Sequence, residues 1–161
     1  MQMPAPNPVT LAKKAQLAER LTAALGKDGV IAEDIALKAY ECDALTAYRC
    51  PPMLALLPRT TAEVAAALKI CHEMNVPVVP RGSGTSLAGG AMPTADSVIL
   101  GVSRMNAVLE TDFSSRVIRV QTGRTNLSVT GAVEGEGFFY APDPSSQLAC
   151  AIAGNIAMNS G

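Results

Sequence analysis

The stretch VPVVPRGSGTSLAGGA, from Val76 to Ala91, decides the fold of this chain. Its first part, Val76–Pro80, has the β-branched residues and the flanking prolines of a short buried strand. The next ten residues contain four glycines, several small hydroxyl side chains and Arg81. Glycine at this density permits positive φ angles and a close approach of the backbone to a ligand. The stretch therefore predicts a strand that runs directly into a glycine-rich loop.

The glycine-rich loop carries the donor groups that an anion needs. Successive free N–H groups in such a turn form a concave nest that binds anions, most often phosphate. Ser83, Thr85 and Ser86 add hydroxyl donors, and Arg81 adds positive charge. We interpret the loop as a cradle for the pyrophosphate of a nucleotide cofactor. On composition alone, a mobile turn without a ligand is the open alternative, because such turns are common between elements.

The loop matches neither of the two common phosphate motifs. A P-loop ends in Gly-Lys-Ser/Thr, and this loop contains no lysine. The dinucleotide fingerprint G-x-G-x-x-G requires a third glycine at the position of Leu87. A domain for another cofactor such as NAD is therefore the less favoured alternative.

Length, composition and charge are typical of one globular domain. The chain has 161 residues, of which 48% are apolar, so it can bury a sizeable core. Its net charge of −1 gives no argument for nucleic acid or an anionic membrane as a partner. The N-terminus lacks the basic and apolar regions of a secretory signal, and we expect a cytoplasmic protein.

The cysteines and the single histidine form no metal or redox motif. Cys42, Cys50, Cys71 and Cys150 include no pair with C-x-x-C spacing, so we expect reduced thiols. His72 falls inside a predicted helix, and we interpret it as structural. No catalytic residue and no metal ligand is assigned.

Periodicity and turn residues predict alternating helices and strands around the loop. Thr10 and Thr60 are predicted helix caps, and Glu63 has capping-box spacing from Thr60. The strand at 53–57, the helix from Thr60 and the strand at 76–80 form a β-α-β unit, which favours parallel strands. The remaining predicted elements are helices over 10–25, 31–38 and 125–134, strands over 97–100 and 138–140, and a hairpin of 107–111 with 117–122.

A second cluster of small residues follows the rigid turn Pro142-Asp143-Pro144. From Ala149 onward small side chains dominate, and they leave room for a second backbone or a flat ligand. Asn155 and Asn159 are amides that suit the polar edges of a ring. From the residues alone, close packing of a helix on a sheet with both asparagines in solvent is the favoured alternative.

Three stretches together resemble a known family. PRGSGTSLAGG (80–90), APDPSSQLACAIAGNIAMNSG (141–161) and YECDALTAYRCPP (40–52) resemble the family of the glycolate oxidase D subunit. That family belongs to the FAD-linked oxidases whose flavin domain is of the vanillyl-alcohol oxidase or p-cresol methylhydroxylase type. D-lactate dehydrogenases and D-2-hydroxyglutarate dehydrogenases share this domain. The resemblance extends over residues 34–161, which is most of the chain.

The resemblance implies an α+β fold of the FAD-binding type-2 (p-cresol methylhydroxylase-like) class, with FAD between two subdomains. We expect the first subdomain to be complete and the second to be truncated. The domain prediction is an N-terminal helical extension over 1–30 and an FAD-binding domain over 31–161, without the substrate cap.

The resemblance also assigns the residues that contact FAD. They lie in the phosphate loop, in the turn that lines the flavin and in the segment that passes along the cofactor. They are Arg81, Gly82, Ser83, Gly84, Thr85, Ser86, Gly90 and Ala91, then Pro142, Asp143 and Ser145, then Cys150, Gly154, Asn155 and Gly161.

The activity implied by the resemblance is oxidation of a D-2-hydroxy acid such as glycolate or D-lactate. Hydride passes from the substrate α-carbon to flavin N5, while the protein positions the cofactor. The family's substrate arginines and metal-binding histidines match no residue here. Because half of the walls around the cofactor are missing, we expect the chain alone to bind FAD weakly or not at all and to be inactive.

The resemblance further implies partners. Companion flavoprotein and iron–sulfur subunits would place the protein at the periphery of the inner membrane. The functional alternative is a truncated, non-catalytic interaction or assembly module of the same fold. In that case a partner or a second copy in a homodimer would cover the small-residue surface near 154–161.

Overall fold

The computed structural model describes residues 3–160. Short 3₁₀ turns at Lys27–Gly29, Lys38–Tyr40 and Glu134–Glu136 connect some of its elements. The helices are α1 (Pro8–Leu11), α2 (Lys14–Leu25), α3 (Asp34–Leu37), α4 (Thr61–Glu73), α5 (Asn126–Gly131) and α6 (Ile152–Met158). The strands are β1 (Val30–Ile31), β2 (Leu54–Leu56), β3 (Val78–Arg81), β4 (Val98–Gly101), β5 (Val108–Asp112) and β6 (Val117–Val120).

A four-stranded sheet with the order β1-β2-β4-β3 forms the centre of the fold. β4 pairs in parallel with β2 on one side and with β3 on the other, so that Val98 lies beside both Leu54 and Val78. The predicted parallel direction of the β-α-β unit is confirmed, but β4 separates its two strands. β3 is therefore an edge strand, and it is only partly buried rather than buried as its sequence predicted.

The two faces of the sheet bury different sets of side chains, because successive residues of a strand point to opposite faces. Leu54, Leu56, Val98 and Leu100 pack with Leu17 and Leu21 of α2 and with Ala67 and Cys71 of α4. On the opposite face, Ala55 and Ile99 pack with Leu37 and Tyr40. The predicted division of the chain at residue 30 stays a prediction, although Leu17 and Leu21 share one core with the sheet.

Helix α4 begins and ends as its sequence predicts. The Thr60 hydroxyl accepts a hydrogen bond from the Glu63 N–H at 3.1 Å. The Glu63 carboxylate accepts from the N–H of Arg59 at 2.7 Å, one residue before the usual partner in a capping box. Asn75, with φ of 51°, then redirects the chain toward β3. Leu68 was placed on the buried face of this helix by periodicity, but its side chain is 43% exposed.

The N-terminal helix differs from its prediction. Asn7 caps α1 and accepts a hydrogen bond from Val9, whereas Thr10 is buried inside that helix. The chain then makes a turn before α2 starts at Lys14. Gly26, with φ of 77°, ends α2 as predicted. None of the helices within residues 3–160 combines the length and the apolar character that crossing a membrane requires.

The second half of the chain builds a hairpin and two short helices. β5 and β6 pair antiparallel, and the predicted hairpin is confirmed. α5 follows Thr125 but is shorter than predicted, and Leu127 is exposed rather than buried. Phe138–Tyr140 forms no strand. Instead the ring of Phe138 packs on Phe113 at 5.5 Å between centroids.

Candidate functional site: a loop of free backbone amides

The glycine-rich loop leaves the end of β3 at Arg81 and turns sharply at two glycines. Gly84 and Gly89 have φ of +72° and +75°, a conformation that residues with a side chain rarely adopt. In the part of the chain that the structure describes, no amide N–H from Gly82 to Leu87 donates a hydrogen bond to a protein acceptor. The loop therefore presents a run of free donors, which is the arrangement that an anion nest requires.

Helix α6 brings the second small-residue cluster against this loop. A Cβ atom built on Gly82 would stand 3.5 Å from the main-chain nitrogen of Gly154 and 3.5 Å from Cβ of Ala151. The Ser86 hydroxyl lies 3.9 Å from the sulfur of Met158. The two clusters that the sequence singled out, about 70 residues apart at these contacts, thus form one site. Their small side chains are what permits the close approach.

Asn155 is the unusual side chain of this site. It is 5% exposed, and its Nδ2 atom is buried without a hydrogen-bond partner in residues 3–160. A buried amide nitrogen without an acceptor costs about 1–3 kcal/mol, so such groups mark places where a ligand or water completes the bonding. Asn155 and Asn159 were both placed in solvent by the packing alternative, but only Asn159 is exposed.

Arg81 lies at the rear of the loop. Its Nη1 atom donates to the carbonyl oxygen of Cys42 at 2.7 Å, and its guanidinium stands 5.7 Å from the centre of the Tyr40 ring. The sequence predicted positive charge at this site, and the structure shows that the charged group packs against protein on at least two sides. Ala91, at the other end of the loop, has its carbonyl oxygen 3.5 Å from the same Nη1. Gly90 has open space around its Cα.

The turn at Pro142 is held by a residue that sequence reasoning missed. Asn126 is 1% exposed, and its Nδ2 donates to the Pro142 carbonyl oxygen at 3.1 Å. Its main-chain N–H donates to the Cys150 carbonyl oxygen at 2.9 Å. Asn126 thereby ties the turn to the start of α6. Sequence alone shows Asn126 only as an asparagine directly after a helix cap, because both of the residues that it bonds lie well beyond α5.

The other assigned residues of this region differ in exposure. Asp143 and Ser145 are exposed on the turn, and Cys150 is buried with its N–H bonded to the Ser146 carbonyl oxygen at 2.8 Å. The thiol of Cys150 therefore belongs to the core, and its main chain carries the link to α6. Gly161 was also assigned to the site, and it lies outside the described residues.

The chemistry of the donor set fits a diphosphate. The loop and its flanks, from Val76 to Ala95, contain no acidic residue that would repel an anion. Free amides, hydroxyls and the Asn155 amide nitrogen are all donors, and phosphate oxygens are acceptors only. Within residues 3–160 no group of three or more histidine, cysteine or acidic side chains could hold a metal ion.

The titratable groups with perturbed pKa values lie away from this site. Burial raises the pKa of the Cys71 thiol to about 11, and Cys71 belongs to the core under α4. The hydrogen bond from the Asn7 N–H lowers the pKa of Asp96. A cavity of about 430 Å³ opens between the hairpin and Phe138–Tyr140, but no loop residue lines it. Among the described residues, the groups with shifted pKa values therefore lie outside both the loop and α6.

Comparison with known proteins agrees with this geometry. The FAD binding domain family matches residues 52–161. Glycolate oxidase subunit GlcD of Escherichia coli K12 is 48% identical over 122 residues, which cover 76% of this chain and 24% of that protein. Mitochondrial D-2-hydroxyglutarate dehydrogenase of Bos taurus is 37% identical over 132 residues, which cover 82% of this chain and 24% of that protein.

A solved structure shows the same fold. The structure of p-cresol methylhydroxylase with substrate bound superposes with a TM-score of 0.80 at 23% identity, covering 94% of this chain and 30% of that one. The chain spans about a quarter of the length of the curated relatives named above. Both the predicted fold class and the predicted cofactor, FAD, are confirmed. With its glycine-rich loop, its α6 contact and a match over residues 52–161, the chain belongs to the FAD binding domain family and has the fold of the p-cresol methylhydroxylase type.

Proposed function

We propose that this chain is the FAD-binding portion of an oxidoreductase that acts on D-2-hydroxy acids. The observation that carries the proposal is the row of free amides from Gly82 to Leu87, with Gly82 in contact with Gly154 of α6, the helix that also contains the buried and unpartnered amide nitrogen of Asn155. The similarity to a glycolate oxidase subunit and a D-2-hydroxyglutarate dehydrogenase supports the substrate class, because both names denote oxidation of a 2-hydroxy acid.

The residues of the chain have distinct tasks in this proposal. The main-chain amides of the loop and of Gly154 would bind the diphosphate, and Ser83 and Thr85 would supply further hydroxyl donors. Asn155 would offer the cofactor its unpartnered amide nitrogen. Bound FAD supplies the capacity to accept a hydride equivalent. The protein's share is to bind and orient that group, since the chain offers no residue that we assign to substrate or to proton transfer.

Partners and location complete the proposal. A companion flavoprotein and an iron–sulfur subunit would accept the electrons, and they would hold the protein at the periphery of the inner membrane. The name of the bacterial relative, a subunit, supports an assembly of several chains. Copurification of such subunits from cells that express the chain with a cleavable tag would test this part.

Flavin titration tests the core of the proposal. We expect FAD to bind, weakly, with quenching of its fluorescence, and inorganic pyrophosphate to compete. Riboflavin, which lacks the diphosphate, should bind at least tenfold more weakly if the loop contributes two or more charge-assisted hydrogen bonds. We expect no reduction of bound FAD by glycolate or D-lactate in the isolated chain. Equal affinity for FAD and riboflavin would contradict the assignment of the loop, and a dimer that binds no flavin would favour the assembly module.

A further inference from the structure

The segment Tyr40–Leu45, which we call the brace segment, lies behind the phosphate loop and touches it at both ends. At one end its Tyr40 ring and Cys42 carbonyl oxygen meet the guanidinium of Arg81. At the other end, Cδ2 of Leu45 lies 3.4 Å from the position of a Cβ on Gly89. Tyr40 also packs on Ala55 and Ile99 in the core, so the segment has a fixed base.

Arg81 joins the brace segment to three parts of the loop. Its main chain begins the loop, its Nη1 reaches the carbonyl oxygen of Ala91 at the far end, and its guanidinium lies along Gly84 in the middle. A Cβ atom on Gly84 would stand 2.6 Å from the guanidinium carbon. The side chain therefore packs against the rear of the loop as a spacer, and Gly84 is needed there for space as well as for its positive φ.

The charge of Arg81 is met by dipoles rather than by an acid. Among the described residues no carboxylate lies within ion-pairing distance of it. Its identified partners are two carbonyl oxygens and the face of an aromatic ring, and neither partner type neutralises a guanidinium. Within the described residues no ion pair cancels the charge of Arg81, and its guanidinium lies against Gly84, one of the residues with a free amide. Asp43 of the brace segment is buried and uses Oδ1 to accept from the Leu45 N–H at 2.9 Å, which fixes the bend of the segment.

We propose that Arg81 is a positioning residue, which, with the brace segment, holds the amides of the phosphate loop in their open arrangement. This inference rests on the proposed FAD function and refines it, because Arg81 acts on the diphosphate through the loop rather than as its direct ligand. The fork of the guanidinium is essential, since one nitrogen bonds Cys42 while the plane packs on Gly84. Lysine keeps the charge but cannot reproduce this geometry.

The first test uses the protein's own cysteines and needs no flavin. Alkylation rates at each thiol are measured by peptide mass spectrometry in the wild type, Arg81→Lys, Arg81→Gln and the exposed control Arg119→Gln. Cys42 lies in the brace segment, whereas Cys71 and Cys150 are buried in the core and report global unfolding. We expect labelling of Cys42 to be about tenfold faster in both Arg81 variants, consistent with the loss of a charge-assisted hydrogen bond. Cys71 and Cys150 should be unchanged, and so should every thiol in the control.

The second test measures FAD affinity in the same four proteins. We expect Arg81→Lys to weaken FAD binding about as much as Arg81→Gln, by roughly tenfold or more, because both lose the fork. If lysine restores the affinity to within twofold of wild type, Arg81 is a direct charge ligand and the proposal is wrong. If Cys42 labelling is unchanged in both Arg81 variants, the brace contact is absent in solution and the proposal is equally wrong.

A double-mutant cycle separates the spacer contact from general damage. Gly84→Ala should lower FAD affinity by a smaller factor in the Arg81→Gln background than in the wild type, because the added methyl group then meets no guanidinium. Additive effects would overturn the contact. If wild-type protein binds no FAD at all, the proposed function fails, while the thiol measurement still decides whether Arg81 holds the brace segment.

Discussion

The main-chain nitrogen of Gly154 lies 3.5 Å from the position that a Cβ on Gly82 would occupy. Two glycines from distant parts of the chain are thus in contact, and the first residue of the loop meets the first turn of α6. A distance of 3.5 Å is ordinary van der Waals contact, so the fold tolerates a methyl group there. The ligand would not, because the same methyl group stands against the Gly154 N–H.

Gly82→Ala should therefore separate stability from binding. We expect the free energy of unfolding to change by no more than about 1 kcal/mol, while FAD affinity falls about tenfold or more, as expected for loss of access to one charge-assisted donor. Urea unfolding and flavin titration measure the two quantities. Gly135→Ala is the matched control, since its Cβ meets no atom within 4 Å and it lies outside the loop and α6, so FAD affinity should be retained. A loss of affinity in both variants would show that the effect is not specific to Gly82.

Asn155→Leu should change stability and binding in opposite directions. The substitution removes a buried amide nitrogen that has no partner in residues 3–160, so the flavin-free protein should be equally stable or more stable by about 1 kcal/mol. FAD affinity should fall, because the cofactor loses the donor. Asn106→Leu, at an exposed position with negative φ, serves as the control and should affect neither quantity. A destabilised Asn155→Leu protein with normal affinity would show that the amide serves the fold alone.

Thr60→Ala should weaken helix α4 from its first turn. The hydroxyl accepts the Glu63 N–H at 3.1 Å, and loss of such a cap costs about 1 kcal/mol of stability. Denaturant unfolding measures the change. Thr61→Ala is a suitable comparison, because its hydroxyl makes no hydrogen bond within the described chain, and it should leave stability unchanged or raise it by a few tenths of that amount, since alanine has the higher helix propensity. Equal effects at the two positions would exclude capping as the cause.

Alkaline pH should destabilise the core through Cys71. Burial raises the pKa of this thiol from 9.0 to about 11, so the unfolded chain loses the proton first as pH rises. The stabilisation is complete below about pH 9 and is lost as the pH rises toward 11. Melting temperatures at pH 8 and pH 10.5 should differ less in Cys71→Ala than in the wild type. Cys42→Ala, at a partly exposed thiol, should retain the wild-type difference, and an identical difference in all three proteins would contradict the assignment.

Much of the fold is legible in the sequence because local rules decide it. The Thr60 cap, the Gly26 stop and the hairpin all depend on residues within a few positions of one another. The free amides of the loop follow in the same way from the glycine density between 82 and 90. These features require no knowledge of distant partners.

The errors have a common physical origin in contacts between distant residues. β4 inserts between β2 and β3, and no local pattern shows which strand a crossover will skip. Phe138 lies in a loop rather than in the predicted strand, and its ring packs on that of Phe113 in the turn of the hairpin. Arg81 was expected to add charge to the site, but its hydrogen bond to a residue 39 positions earlier cannot be read from the loop. Asn126 was missed for the same reason.

The strand order also bears on how the chain matures during synthesis. β2 pairs with β1 on one edge but needs β4 on the other, and β3 pairs with β4 alone, so the first two parallel strands wait for the third, which the ribosome makes after them. At translation rates of about 5–20 residues per second, the interval between finishing β2 and finishing β4 is roughly 2–9 seconds. During that time Leu54–Leu56 is an apolar strand without a neighbour on that side, which is the kind of segment that nascent-chain chaperones shield.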